Sequence, residues 1–108
     1  MKRSQPDFDL GVTQCEEDFA DNVYRLYWQT RSSWGEYMTE IFAERFGVEV
    51  VHISDLTTTA QSSFRTGYNS RIKQRVDEQF GIGAFDAAME DVETFRAERY
   101  RQHFPDEL

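Results

Sequence analysis

The segment from Thr58 to Gly81 reads TTAQSSFRTGYNSRIKQRVDEQFG and predicts the central element of the fold. Its first residues have the form of a capping box, in which the Thr58 and Gln61 side chains each bind a backbone N–H at the start of a helix. Apolar residues then recur at every fourth position: Phe64, Tyr68, Ile72, Val76 and Phe80. A spacing of four drifts by about 40° per step, so this stripe winds around the helix. The segment predicts either one helix packed on two neighbours or a break at Gly67, with Asn69 or Ser70 recapping the second piece.

Charge is sorted into blocks along the chain, which has 108 residues and a formal net charge of −8. A window without Asp or Glu separates Asp55 from Asp77, and its basic residues are Arg65, Arg71, Lys73 and Arg75. Helical spacing predicts that Lys73 pairs with Asp77 and that Arg75 pairs with Glu78. Arg65 and Arg71 have no acid three or four residues away. These two are therefore the cations of the window that we expect to meet a partner.

Three further helices are predicted around this segment. Thr13 and Glu16 form a capping box that predicts a helix over residues 14–31, after a flexible lead-in at residues 1–12. Ser33 and Glu36 predict a second helix that stops at Gly47, and the short connection predicts a hairpin of these two helices. The last helix is expected to start near Gly83 and to end before Pro105. Residues 13–108 are thus predicted to form a single, mostly helical domain.

Residues 48–53, with the sequence VEVVHI, have the β-branched content and the short length of a strand. A lone strand leaves backbone groups unpaired, so it needs a partner. Residues 8–12 offer one within the chain; otherwise the partner is the same strand of a second subunit. We therefore predict a homodimer joined through Val48, Val50, Val51 and Ile53. The predicted fold class is mostly α, with about four helices and one short β-strand, and a sparse α+β fold is the alternative.

Residues with catalytic or metal-binding chemistry are few and scattered. Cys15, His52 and His103 fall on different predicted elements, without the spacing typical of a metal site. Cys15 lies on the apolar stripe of its helix, which favours a buried, inert thiol. The sequence predicts no catalytic residue, no metal and no cofactor, so we do not expect an enzyme.

The cellular setting is predicted from cysteine usage and hydropathy. A single cysteine favours a reducing compartment, and Met1–Gly11 lacks the apolar run of a secretory signal. No stretch approaches the roughly 20 apolar residues that span a bilayer. We therefore predict a cytoplasmic protein without membrane contact.

These features predict a non-catalytic protein–protein interaction module that acts as an adaptor, a regulator or an inhibitor. The candidate interaction surface combines aromatic residues with the basic residues of the acid-free window: Tyr24, Trp28, Trp34, Arg65, Tyr68, Arg71, Lys73 and Arg75. One alternative is a nucleic-acid-binding protein that uses the helix around residues 65–75. Another is an acidic mimic of nucleic acid that presents Asp86, Glu90, Glu93 and residues 16–21 to a basic partner.

Overall fold

The computed structural model describes residues 6–29, 34–53 and 58–103. Within these residues the chain forms, in order, α1 (Pro6–Ala20), β1 (Arg25–Trp28), α2 (Trp34–Phe46), β2 (Glu49–His52), α3 (Thr59–Phe80) and α4 (Ala84–His103). The predicted mostly helical class is confirmed, with four helices and one small parallel sheet in the described part of the chain. None of the described helices is long and apolar enough to cross a membrane.

α3 is one uninterrupted helix, which is the first of the two predicted arrangements. Its capping box is present: the Gln61 backbone N–H donates to Thr58 Oγ1 over 3.1 Å, and the Thr58 N–H donates to Gln61 Oε1 over 2.9 Å. Gly67 is buried inside the helix and does not break it, so no recapping takes place at Asn69 or Ser70. The winding apolar stripe instead packs against several neighbouring elements, because α3 contacts α1, β1 and α4. Phe80 ends this stripe and is 48% exposed, so it lies outside the core.

α1 and α3 touch backbone to backbone at two glycines. A Cβ atom on Gly11 would overlap the backbone oxygen of Phe64, and one on Gly67 would overlap the backbone oxygen of Phe8. The contact is reciprocal, since each helix contributes a glycine and the carbonyl three residues before it. This arrangement points glycine Cα–H groups at carbonyl oxygens, a recurrent contact between helices. α1 therefore packs closely on α3 and does not form the predicted hairpin with α2.

The start of α1 differs from the prediction. The helix begins at Pro6, where a proline at the first position loses no hydrogen bond, and Asp7 and Asp9 offset the helix dipole. Residues 6–12 are thus its first turns, neither a lead-in nor an edge strand; residues 1–5 lie outside the described residues. The capping box predicted at Thr13 falls inside the helix.

The end of α1 also differs, because the helix stops at residue 20 and not at residue 31. Asn22 adopts the left-handed region with φ of 60°. Its N–H donates to the Phe19 carbonyl over 3.0 Å, and the Val23 N–H donates to the Asp18 carbonyl over 2.8 Å. These bonds form a Schellman motif with asparagine in the position where glycine is more common. The motif turns the chain into β1, which the sequence pattern places in the first helix.

β1 and β2 pair in parallel, with Arg25 opposite Glu49 and Trp28 opposite His52. The predicted strand at residues 48–53 is confirmed as β2, and the partner that the structure shows for it is β1, not residues 8–12. Since β1 supplies the partner within the chain, the backbone argument for a homodimer no longer holds. Val48 and Val50 are buried in the core of this chain, while Val51 and Ile53 are half-buried.

A single hydrophobic cluster receives side chains from α1, β1, α2, β2, α3 and α4. Its fully buried large members are Tyr68, Phe42, Leu26, Met38, Ile72, Val48, Val76, Val92 and Cys15. α4 closes this cluster on the side of α2, where Phe42 meets Phe85 edge to face and Tyr37 stacks on Phe95 with ring centroids 4.2 Å apart. Arg45 of α2 adds an exposed ion pair with Asp91 of α4 at 2.7 Å. α3 thus lies at the centre of the fold.

Replacing Gly67 with alanine is expected to destabilise the protein, although alanine is the better helix former. The added methyl group meets the Phe8 backbone, which cannot rotate away as a side chain could. Overpacking of this kind costs about 1–3 kcal/mol or more, against a gain of about 1 kcal/mol in helix propensity. Because the clash is with backbone, we expect the upper end of this cost, so the free energy of unfolding in urea should fall by about 2 kcal/mol. Gln74→Ala, on the exposed side of α3, is the control and should change it by less than about 0.5 kcal/mol. A Gly67→Ala variant as stable as the wild type would contradict the close approach.

Candidate functional site

Two hollows lie beside the N-terminal half of α3 and share lining residues, and together they are called the α3 groove. The first has a volume of about 420 Å³ and the second about 370 Å³, and Tyr27 and Arg65 line both. The first is completed by Asp7, Ala60, Gln61 and Phe64. The second is completed by Trp28, Gln29, Ile53, Ser62, Thr66 and Asn69. Each volume falls in the range of about 300–1,000 Å³ that is typical of ligand pockets.

The second hollow lies at the carboxyl ends of the two parallel strands. Trp28 is the last residue of β1, and Ile53 directly follows β2. In open α/β sheets, ligands bind in the crevice outside the carboxyl ends of the strands. The groove therefore occupies the position where a parallel sheet ordinarily presents a ligand site.

Asn69 fixes one wall of the groove to the sheet. Its Oδ1 accepts a hydrogen bond from the Tyr27 N–H over 2.9 Å, and its Nδ2 donates to the Tyr27 carbonyl over 2.7 Å. Both backbone groups belong to the edge of β1 that faces away from β2. The Asn69 amide thus replaces a third strand at that edge, and the paired bonds settle the orientation of the amide.

Tyr68 supports Tyr27 from beneath. The two rings meet edge to face with centroids 5.0 Å apart, and Tyr68 is fully buried. The Tyr68 hydroxyl donates to Asp18 Oδ2 over 2.5 Å, which joins α3 to α1. Burial, followed by this hydrogen bond, raises the pKa of Tyr68 above its usual range. The prediction that Tyr68 lies at the surface is therefore wrong. Its ring is buried in the core, where it packs against Tyr27.

The chemistry of the groove is suited to recognition. The side chains from α3 are amides, hydroxyls, one aromatic ring, the Ala60 methyl group and the Arg65 guanidinium, and all belong to the acid-free window. Among the described residues that line the two hollows, Arg65 and Asp7 are the charged ones. The described lining residues therefore carry no net charge, on a chain whose net charge is −8. Trp28 and Tyr27, both half-buried, offer aromatic surface beside these polar groups.

Three residues of the predicted interaction surface gather away from the groove, around Phe19. The Cζ atoms of Arg71 and Arg75 lie 5.0 Å and 5.3 Å from the Phe19 ring centroid, and that of Arg75 lies 3.9 Å from the Tyr24 centroid. These are cation–π distances. Arg71 Nε also approaches Glu16 Oε1 at 3.4 Å, so the expectation that Arg71 lacks an acidic partner is wrong.

Other residues of the basic window contact parts of the fold outside α3 in place of their predicted partners. Lys73 Nζ lies 3.3 Å from Asp86 Oδ1 of α4. Asp77, its predicted partner, instead accepts a hydrogen bond from the Phe85 N–H and caps α4. Arg75 stacks on Tyr24 in place of the predicted pairing with Glu78. Arg65 also interacts within the chain. Of the predicted surface, Arg65 and Trp28 reach the groove, and the side chain of Trp34 lies outside the described part.

Cys15 of α1 is fully buried in the core, as predicted. Burial raises the pKa of its thiol to about 12, and the nearby Arg71 charge opposes this shift only in part. A thiol with so high a pKa is a weak nucleophile at neutral pH. Among the described residues, no three His, Cys, Asp or Glu side chains are placed to hold a metal ion.

Tyr27, Asn69 and Phe64 line the groove but are not among the site residues predicted from the sequence. The sequence pattern instead offers Asn69 as a helix cap, Phe64 as a member of an apolar stripe, and Tyr27 as part of the predicted first helix. The available signal was the acid-free window, because its first half forms the α3 wall of the groove. The opposite wall comes from β1, whose residues the sequence pattern assigns to the first helix.

Neither protein-family models, curated proteins nor solved structures show a significant match to this chain.

Asn69→Ala is expected to lower the free energy of unfolding by about 2 kcal/mol, because the Tyr27 N–H and carbonyl lose their partners. Asn69→Asp gives a sharper test. An ionised carboxylate accepts from the N–H but cannot donate to the carbonyl, whereas a protonated carboxyl does both. The Asn69→Asp variant should therefore gain stability relative to the wild type as the pH falls from 7 to about 4, the ordinary range of an aspartate pKa. Urea unfolding at several pH values measures this, and a pH-independent difference would count against the paired hydrogen bonds.

Alkaline pH is expected to destabilise the protein through Cys15. The folded pKa of about 12 lies above the ordinary value of about 8.5, so the stabilisation is complete below pH ~8.5 and is lost as the pH rises toward 12. One thiol proton gives a slope of about 1.4 kcal/mol per pH unit between these values. Cys15→Ser starts from a lower stability but lacks this titration. The difference in unfolding free energy between wild type and Cys15→Ser should thus shrink from pH 8 to pH 11, and parallel profiles would refute it.

Proposed function

We propose that this protein is a non-catalytic protein–protein interaction module of the cytoplasm, and that it holds a segment of its partner in the α3 groove. The observation that carries the proposal is the presence of two hollows of ligand-binding size that share Tyr27 and Arg65 in their linings. A single enclosed pocket favours a small molecule. Two hollows with a shared lining favour a larger ligand that contacts both.

The walls of the groove support this function. Half-buried aromatic side chains such as Tyr27 and Trp28 supply contact area at a low cost in conformational entropy, and tyrosine, tryptophan and arginine are enriched in protein interfaces. Gln61, Ser62 and Thr66 add hydrogen-bonding groups along the same wall. An extended peptide has backbone groups in need of such partners along its whole length.

The side chains that line the groove are held in place by packing and hydrogen bonds, which favours binding. Tyr27 is held by Asn69 at its backbone and by Tyr68 at its ring. Arg65, Ser62 and Thr66 lie on the central helix, which is packed on several sides. Side chains on fixed elements lose little entropy when a partner binds, and this improves affinity.

A steric block tests the proposal. Ser62→Trp places an indole in the second hollow from an exposed helix position, and Gln74→Trp places the same group on α3 away from the groove. The tagged wild-type chain is expected to retain a protein partner from the native extract, the Ser62→Trp variant to lose it, and the Gln74→Trp variant to keep it. Quantitative mass spectrometry of the eluates measures all three.

Equal recovery of the partner by both tryptophan variants would show that the groove is not the interaction site. Recovery of nucleic acid in place of protein would favour the alternative that the basic helix reads DNA or RNA. Thermal unfolding of both variants checks that a loss of binding does not come from a loss of fold.

A further inference from the structure

We infer that the turn between α3 and α4, residues 80–83, is a second interaction surface, at which Ile82 inserts into an apolar pocket on a basic protein partner. The 22 residues of α3 make a helix of about 33 Å, and the groove lies beside its first half. The α3–α4 turn follows the other end of this helix. The two surfaces are therefore separate and can be tested independently.

The α3–α4 turn concentrates exposed apolar surface. Ile82 has a relative exposure of 102%, the highest of the large apolar side chains in the described part of the chain. Phe80 is 48% exposed, although its ring meets that of Phe46 with centroids 5.2 Å apart. No charged residue lies between Glu78 and Asp86. Single exposed apolar residues are ordinary, but several of them together mark an interaction site.

The backbone of the turn is fixed, so it presents Ile82 in one position. The Ala84 N–H donates to the Gly81 carbonyl over 3.0 Å, and Gly83 has φ of 87°. These are the features of a type II turn with Ile82 in its second position. The Gly81 N–H also donates to the Asp77 carbonyl over 3.0 Å, which joins the turn to α3. A type II turn requires glycine at the third position but favours proline at the second, so the fold does not require an isoleucine there.

The charge beside the turn selects a basic partner. Residues 77–95 include six acids and no Lys or Arg. Asp86 and Asp91 are paired with cations of other helices. Glu78 lies in the last turn of α3, where a negative charge is unfavourable next to the negative end of the helix dipole and no basic residue offsets it. Among the described residues, no ion pair or hydrogen bond engages the Glu78 carboxylate.

An exposed isoleucine and an unpaired acid at a helix C-terminus are both unfavourable for the isolated chain, and they lie four residues apart. Residues that break a local rule without a gain in stability are expected at functional sites. A partner that buries Ile82 and places a Lys or Arg beside Glu78 makes both residues favourable.

The same charges argue against other occupants of the surface. A second copy docked turn to turn would bring Glu78 against Glu78, on chains that each carry a net charge of −8. Anionic lipids and nucleic acid would be repelled by the same acids. A protein with positive charge around an apolar pocket meets no such repulsion.

Photocrosslinking identifies what Ile82 contacts. The full chain carries p-benzoylphenylalanine at position 82, and a control protein carries it in place of Leu10, which is 58% exposed on α1. Both are irradiated in the cells that produce the chain, and the crosslinked residues are mapped by mass spectrometry. We expect a protein that crosslinks from position 82 and not from position 10, at an apolar pocket flanked by Lys or Arg.

The purified partner then tests the contribution of Ile82 to affinity. Ile82→Ser is expected to weaken binding by about tenfold or more, because the burial of the isoleucine side chain is lost. Leu10→Ser makes the same change at another exposed position and should alter the affinity by less than about threefold. Since the Ile82 side chain is fully exposed, Ile82→Ser should keep its midpoint of thermal unfolding within about 3 °C of the wild type.

Glu78→Gln tests the charge, with opposite effects expected on binding and stability. It should weaken binding by about threefold, because an ion pair with the partner is lost. It should also raise the midpoint of thermal unfolding, because it removes an acid from the C-terminal end of α3. Glu98→Gln, at an exposed position of α4, makes the same change of charge and should bind the partner as the wild type does.

Several results would overturn the inference. These are the absence of a crosslink specific to position 82, and an equal loss of affinity with Ile82→Ser and Leu10→Ser. Crosslinks to a second copy of the chain or to lipid would replace the protein partner with self-association or membrane contact. A pocket without Lys or Arg, or equal binding by Glu78→Gln and Glu98→Gln, would exclude a basic partner. Because Ser62→Trp tests the groove and Ile82→Ser tests the turn, either proposal fails without affecting the other.

Discussion

The close contact between α1 and α3 is the constraint on which the rest of the structure depends. Gly11 and Gly67 let the two backbones touch, and the contacts of the two helices follow from that touching point. Two residues farther along α1 also contact α3: Glu16 meets Arg71, and Asp18 meets the Tyr68 hydroxyl. Cα–H···O contacts contribute only about 0.5–1 kcal/mol each. The importance of the glycines is therefore steric, because every other contact between the helices requires this distance.

A two-stranded sheet is too small to be stable alone, and α3 supplies what the sheet lacks. Asn69 completes the hydrogen bonding of Tyr27 at the outer edge of β1, and Leu26 and Val50 bury the inner face in the core. A third strand at that edge would run alongside β1. One side-chain amide satisfies the same backbone groups of Tyr27 in far less space.

The sequence predicted the elements whose signals are local. The Thr58 capping box, the stop at Gly47 and the β-branched run of β2 each depend on a few adjacent residues, and the structure confirms all three. The division of residues 14–31 was not predictable in this way, because Asn22 ends α1 where no glycine or proline marks a stop. β1 itself is only four residues long and alternates too briefly to be distinguished from a helical stripe. Its strand conformation depends on Asn69 and β2, which are distant in sequence.

The candidate site was predictable only as a charge pattern. The acid-free window marked the right helix and predicted one surface, whereas the structure divides it between two neighbours. Its first half, up to Asn69, forms the wall of the groove, while Arg71 and Arg75 lie against Phe19 of α1. An acid in either half would be unfavourable for a different reason. In the second half it would lie against aromatic rings that attract cations. In the first half it would add a negative charge to a lining whose described charged residues are Arg65 and Asp7. The absence of acids from the window thus has two physical causes. We therefore expect exposed positions of its first half to control binding and the arginines of its second half to control stability.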